Sequence, residues 1–97
     1  MDPVLHVVDD EDAVRRSAEM LLAASGHRTA GYASGPAVLA AAGLDGKGLA
    51  PGCMILDVRM PGMDGLQLME ELAKRGVTLP VVVVTGHGDV PLAVRAM

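Results

Sequence analysis

Three short apolar runs in this sequence end in an oxygen-bearing side chain. Val4-Leu5-His6-Val7-Val8 runs into Asp9-Asp10, Cys53-Met54-Ile55-Leu56 into Asp57, and Val81-Val82-Val83-Val84 into Thr85. Carboxylates brought close together repel and raise one another's pKa values. A hard divalent cation relieves that repulsion, and Mg²⁺ prefers oxygen ligands while keeping some of its water. The same ion would neutralise incoming phosphate oxygens and leave one carboxylate to attack phosphorus. A threonine hydroxyl beside them could then hydrogen-bond a phosphoryl oxygen. Each ending also has an ordinary structural use. Acidic residues favour a helix N-terminus, and an Asp shortly before Pro61-Gly62, or a Thr before Gly86, suits a turn. Only convergence of all three at one place gives them a chemical purpose.

The elements between these endings supply the convergence. Runs that stay apolar throughout are the mark of strands buried on both faces of a parallel sheet. Between them, Ala13, Val14, Ser17, Ala18, Leu21 and Leu22 recur at helical spacing, with Arg15, Arg16 and Glu19 off that stripe and Gly26 closing the helix. Residues 27–33 read as a weaker edge strand. Ser34 can cap a second helix with Pro36 in its first turn, continued by the Ala-rich residues 37–42, and Gly43 to Gly52 reads as a loop. Asp64 followed by Gln67 is a capping-box pattern, and Met63 with Leu68 suits a hydrophobic staple. Leu66, Met69, Leu72 and Ala73 give the third helix its buried side, and Gly76 ends it. Asp89 with Pro91 opens a fourth helix on which Val90, Val94 and Met97 share a face.

The pattern is β-α-β-α-β-α-β-α. It predicts an α/β domain with a doubly wound parallel sheet and right-handed crossovers. In such sheets ligands bind beyond the carboxyl ends of the strands, where the strand order reverses. With the order 2-1-3-4, strands one and three are neighbours about 4.8 Å apart. Asp9, Asp10 and Asp57 then meet in one crevice, with Thr85 on the adjoining strand.

Composition sets the outer bounds. The 97 residues fit one small domain, and with a single aromatic residue Val, Leu, Ala and Met must fill the core. The formal net charge of −4 argues against non-specific nucleic-acid binding. No run of 18 apolar residues suits a membrane span, the Met1-Asp2-Pro3 start does not resemble a signal peptide, and the lone Cys53 fits a reducing compartment. A cytoplasmic protein is expected. His6 and His27 lack partners at metal-ligand spacing, and His87 reads as a loop residue. Most of the methionines read as core filler, with Met60 and Met63 flanking the turn after Asp57.

Val7-Val8-Asp9-Asp10-Glu11, Leu56-Asp57-Val58-Arg59-Met60-Pro61-Gly62-Met63-Asp64-Gly65 and Val84-Thr85-Gly86-His87-Gly88 together resemble the receiver domain of two-component response regulators. The stretch from Thr85 to Met97 resembles the FixJ-type subfamily of transcriptional regulators. The resemblance runs in order along the whole chain. It implies a flavodoxin-like, CheY-like sheet in which Asp57 accepts a phosphoryl group from a histidine kinase. It implies Mg²⁺ bound directly by Asp10 and Asp57, by Asp9 through water, and by the backbone carbonyl of Arg59. Thr85 would be the switch hydroxyl. Such domains catalyse only their own phosphorylation and hydrolysis, so no separate enzyme activity is expected.

The family pattern also has a fifth strand, led by a lysine, and a fifth helix. Lys47 and Lys74, the only lysines, match neither position. Residues 1–97 are therefore expected to form a receiver domain incomplete at its C-terminal end, with its output domain missing. Strand four would then be an open apolar edge inviting self-association, through that edge or the fourth-helix face. Three other functions remain. A haloacid-dehalogenase-type phosphatase would want an acid two residues after the nucleophile, where Arg59 stands. A receiver-like interaction module would not need the intact acids and threonine. A DNA-binding regulator would need a helix-turn-helix that this stretch lacks.

Overall fold

The computed structural model describes residues 2–84 and the backbone of residues 93–95. The elements in chain order are β1 (Val4–Val8), α1 (Asp12–Ala24), β2 (Arg28–Tyr32), α2 (Gly35–Ala42), β3 (Gly52–Asp57), α3 (Gly65–Lys74), β4 (Val81–Val84) and β5 (Ala93–Arg95). They form one sheet in the order β2-β1-β3-β4-β5. The first four strands are parallel, in the predicted order 2-1-3-4, and β1 pairs with β3 so that Val8 lies opposite Leu56.

β5 departs from expectation. The sequence pattern puts Ala93-Val94-Arg95 on a fourth helix, but these residues run antiparallel along β4, with Val81 opposite Arg95. A β-branched valine between two residues suits a strand as readily as a helix face, and the unpaired donors and acceptors of β4 settle the choice. The edge expected to lie open at Val81–Val84 is thus paired within the chain, which removes the ground for self-association through β4. The assigned cap Asp89 and Pro91 lie outside the described residues, as do Thr85 and His87.

α2 and α3 cover one face of the sheet. Val38, Ala42, Met54, Leu56, Leu68 and Leu72 are buried there, with Val8, Val81 and Val83. Met54 and Met69 belong to the same core, in keeping with their reading as filler, and Met60, from the turn after Asp57, is buried with them. Both caps form as the residue types require. Ser34 accepts a hydrogen bond from the Ala37 amide at 3.2 Å, and the Asp64–Gln67 capping box closes at 2.8 and 2.9 Å.

α1 lies on the opposite face and is turned differently from the expected stripe. None of its residues is fully buried, and Val14 and Leu21 are 49% and 71% exposed. The residues turned inward are Arg15, Ala18, Glu19 and Leu22, half-buried and at helical spacing. Glu19 packs on Gly31 of β2, where the missing side chain makes room for it. The Glu19 carboxylate thus lies over β2, and the Arg15 guanidinium reaches the Asp9 carbonyl, so two charged residues occupy the inner side of α1. Val14 and Ala18 border an open cavity of about 260 Å³ together with Val7, Ile55 and Val84.

Candidate functional site

β1 and β3 end level with each other, because Val8 pairs with Leu56 one residue before the acids. Both strands hand the chain to a loop at the same edge. Asp9 and Asp57 leave that edge half-buried, and Asp10 is exposed. One ligand atom from each of Asp9, Asp10 and Asp57 lies within 4.8 Å of the other two. The predicted meeting of the three acids is therefore observed. It is the one group of three or more such residues found close together among those described.

Local bonds fix how the acids are held. The Asp9 amide donates to the Tyr32 carbonyl at 3.1 Å, which ties the start of the loop to β2. Asp9 Oδ1 accepts from the Glu11 amide at 2.9 Å. Asp57 Oδ1 likewise accepts from the Arg59 amide at 3.1 Å. Both are Asx turns, in which the side chain bonds the backbone two residues on. Each leaves a second carboxylate oxygen for other work.

The turn after Asp57 is locked from below. Val58 donates to Val84 at 3.0 Å and accepts from the Gly65 amide at 2.9 Å. A Cβ at Gly65 would stand 2.8 Å from the Asp57 carbonyl oxygen and 2.9 Å from Val58 Cα. Both are backbone atoms of the strand end itself, so only glycine lets α3 start this close to the acid. Met63, from the same turn, reaches over Gly35 at the start of α2 and packs against the core.

The electrostatics follow from this crowding. Burial pushes the Asp57 carboxyl above its usual range, the Arg59 amide partly opposes that, and repulsion from Asp9, Asp10 and Glu11 adds to the rise. A carboxylate in these surroundings favours a nearby cation. Hard oxygen donors gathered so closely fit an oxygen-preferring divalent ion, so the cluster can hold a metal. Of the other expected site residues, Arg59 stands in the turn beside Asp57, bonded to it through its amide, and Thr85 lies outside the described residues.

One contact escaped the sequence. Arg15 lies off the apolar stripe of its helix, yet its Nη1 donates to the Asp9 carbonyl at 2.8 Å. The only hint was Asp12, three residues earlier, which pairs with Arg15 Nη2 at 2.6 Å. His6 is no metal ligand here. Its ring is buried, with Nδ1 2.8 Å from the Tyr32 hydroxyl and Nε2 2.8 Å from the Ala50 carbonyl.

A doubly wound parallel sheet with clustered carboxylates at the point where strand order reverses defines an α/β domain with a switch-point site. The chain belongs to the response regulator receiver domain family, whose model matches residues 5–97. Its relatives place it with the FixJ type. It is 52% identical over 93 residues to the transcriptional regulatory protein FixJ of Azorhizobium caulinodans, covering 96% of this chain and 42% of that protein. It is 41% identical over 96 residues to the response regulator protein TmoT of Ectopseudomonas mendocina, covering 99% and 42% respectively. Among solved structures it superposes on the crystal structure of FixJ-N with a TM-score of 0.81 and 37% identity, over 94% of this chain and 70% of that one. The chain thus spans less than half the length of these two curated relatives.

Proposed function

We propose that Asp57 is the phosphoacceptor and that Asp9, Asp10 and Asp57, with the Arg59 carbonyl, hold Mg²⁺ beside it. The carrying observation is the gathering of the three acids within 4.8 Å at one sheet edge. The Arg59 amide on Asp57 Oδ1 orients the carboxylate and leaves Oδ2 as the nucleophile. Oδ2 attacks phosphorus, and the P–N bond of a kinase phosphohistidine breaks, its electron pair returning to the imidazole nitrogen. The bound ion supplies charge neutralisation for the phosphoryl oxygens. Thr85 serves as the switch hydroxyl that meets the new phosphoryl group. The partner is a histidine kinase, the setting is cytoplasmic, and the domain performs only its own phosphorylation and hydrolysis. Its output is transcriptional, as the names of the longer relatives suggest.

The test is incubation with Mg²⁺ and acetyl phosphate, followed by intact mass. One phosphoryl adduct is expected, and Asp57→Asn abolishes it. An adduct that survives the substitution refutes the assignment.

A further inference from the structure

Arg15 stands where helix α1 and the acidic loop meet, and its two ends have unequal partners. The contact with Asp12 is short, but Asp12 is 68% exposed on its side chain, and such pairs contribute little. The Arg15 side chain itself is only 12% exposed. What it reaches on the inner side is neutral, the Asp9 carbonyl at 2.8 Å. That bond completes the restraint of Asp9. Its amide is held by Tyr32, its Oδ1 by the Glu11 amide and its carbonyl by Arg15. The planar guanidinium can serve Asp9 and Asp12 at once because its donors are fixed in a fork.

We propose that Arg15 is a positioning residue, holding the Asp9–Asp10 loop in the conformation that lets its carboxylates share a divalent cation with Asp57. The proposal rests on the metal-site reading above. It differs from simple electrostatics in sign. A positive charge beside a cation site repels the cation, so removing it should tighten binding. If Arg15 acts by position, removing it weakens binding instead. Residues that orient metal ligands typically cost about 10- to 100-fold in affinity when replaced.

The experiment is calorimetric titration of the protein with MgCl₂, beside thermal unfolding of each variant. Arg15→Met keeps the aliphatic stem and is expected to weaken Mg²⁺ binding by about tenfold. Arg15→Gln is too short to reach the Asp9 carbonyl, gives the same loss, and stands in where Arg15→Met does not fold. Arg15→Lys retains a donor and recovers most of the affinity. Asp12→Asn leaves the Asp9 contact in place and changes affinity little. Arg15→Met that melts lower yet binds Mg²⁺ as well as or better than the unaltered protein overturns the proposal. So does Asp12→Asn weakening binding as much as Arg15→Met. Saturable binding that Asp10→Asn abolishes and Arg15→Met leaves intact sinks the positioning role alone. Absence of saturable binding by the unaltered protein sinks the metal-site reading, and the proposal with it.

Discussion

Asp57 carries a cost before any ligand arrives. Burial and its acidic neighbours raise its pKa in the folded protein. A raised carboxylate pKa means that the folded state binds the proton more tightly than the unfolded chain does. Ionised Asp57 therefore destabilises the fold at neutral pH, and that penalty fades as the pH falls through the raised value. Asp57→Asn should stabilise the metal-free protein at pH 7 by roughly 0.5 kcal/mol, a figure kept small because solvent screens the site. The gain should shrink as the pH falls through the raised value and be largely gone near pH 2.5, well below the unfolded aspartate value of about 3.9. Urea unfolding in chelator at both pH values checks this, and an equal gain at each would point away from charge. Asp64, at the far end of the same turn, acts through a hydrogen bond to the helix. Asp64→Ala should lower stability by about 1 kcal/mol, and Asp64→Asn by much less. The comparison is read from thermal melts.

At the scale of elements, the tight start of α3 makes a sharper prediction. Gly65→Ala should cost on the order of 1–3 kcal/mol, because the new methyl meets backbone of the β3 end that cannot rotate aside. Gly62→Ala, with nothing within 4 Å but a φ of 80°, tests conformational strain alone. Both are measured by denaturant midpoints. Elements were legible where one physical effect spoke alone. The β-branched run Val81–Val84 could only be a strand, and Asp64 with Gln67 could only be a capping box. The meeting of Asp9, Asp10 and Asp57 was readable because strand ends in a parallel sheet share an edge. Two features were not readable. The rotation of α1 turns Arg15 and Glu19 inward, residues that a polarity pattern scores as solvent-facing. The course of residues 93–95 depends on β4 needing a partner, a tertiary demand that three residues do not announce.

Across the whole molecule the two faces of the sheet differ. The α2–α3 face holds fully buried Leu68 and nearly buried Leu72, while α1 leaves Leu21 at 71% exposure. Stability should divide accordingly. Leu68→Ala is expected to cost about 2–5 kcal/mol, a large share of what a small domain possesses. Leu21→Ala should change stability by less than about 0.5 kcal/mol. Equal effects in urea unfolding would mean that α1 is packed in solution as α2 and α3 are. Among the described residues no helix is long and apolar enough to cross a membrane.

Tyr32 is the single aromatic residue of Phe, Trp and Tyr type in the chain. Its carbonyl holds the Asp9 amide, while its hydroxyl meets His6 and its ring stacks on that imidazole at 5.8 Å. For the neutral imidazole, the Ala50 carbonyl can only accept, so Nε2 carries the proton and Nδ1 takes the tyrosine proton as acceptor. A phenol donating to a base is set up to lose its proton on excitation, which quenches its light. The protein thus contains one tyrosine fluorophore, joined to the acidic loop by a single backbone hydrogen bond and expected to be dimmed by its neighbour. Replacing His6 with Phe should brighten emission near 300 nm. Any event that shifts the Asp9 loop should then be visible as a change in tyrosine emission, with no label attached.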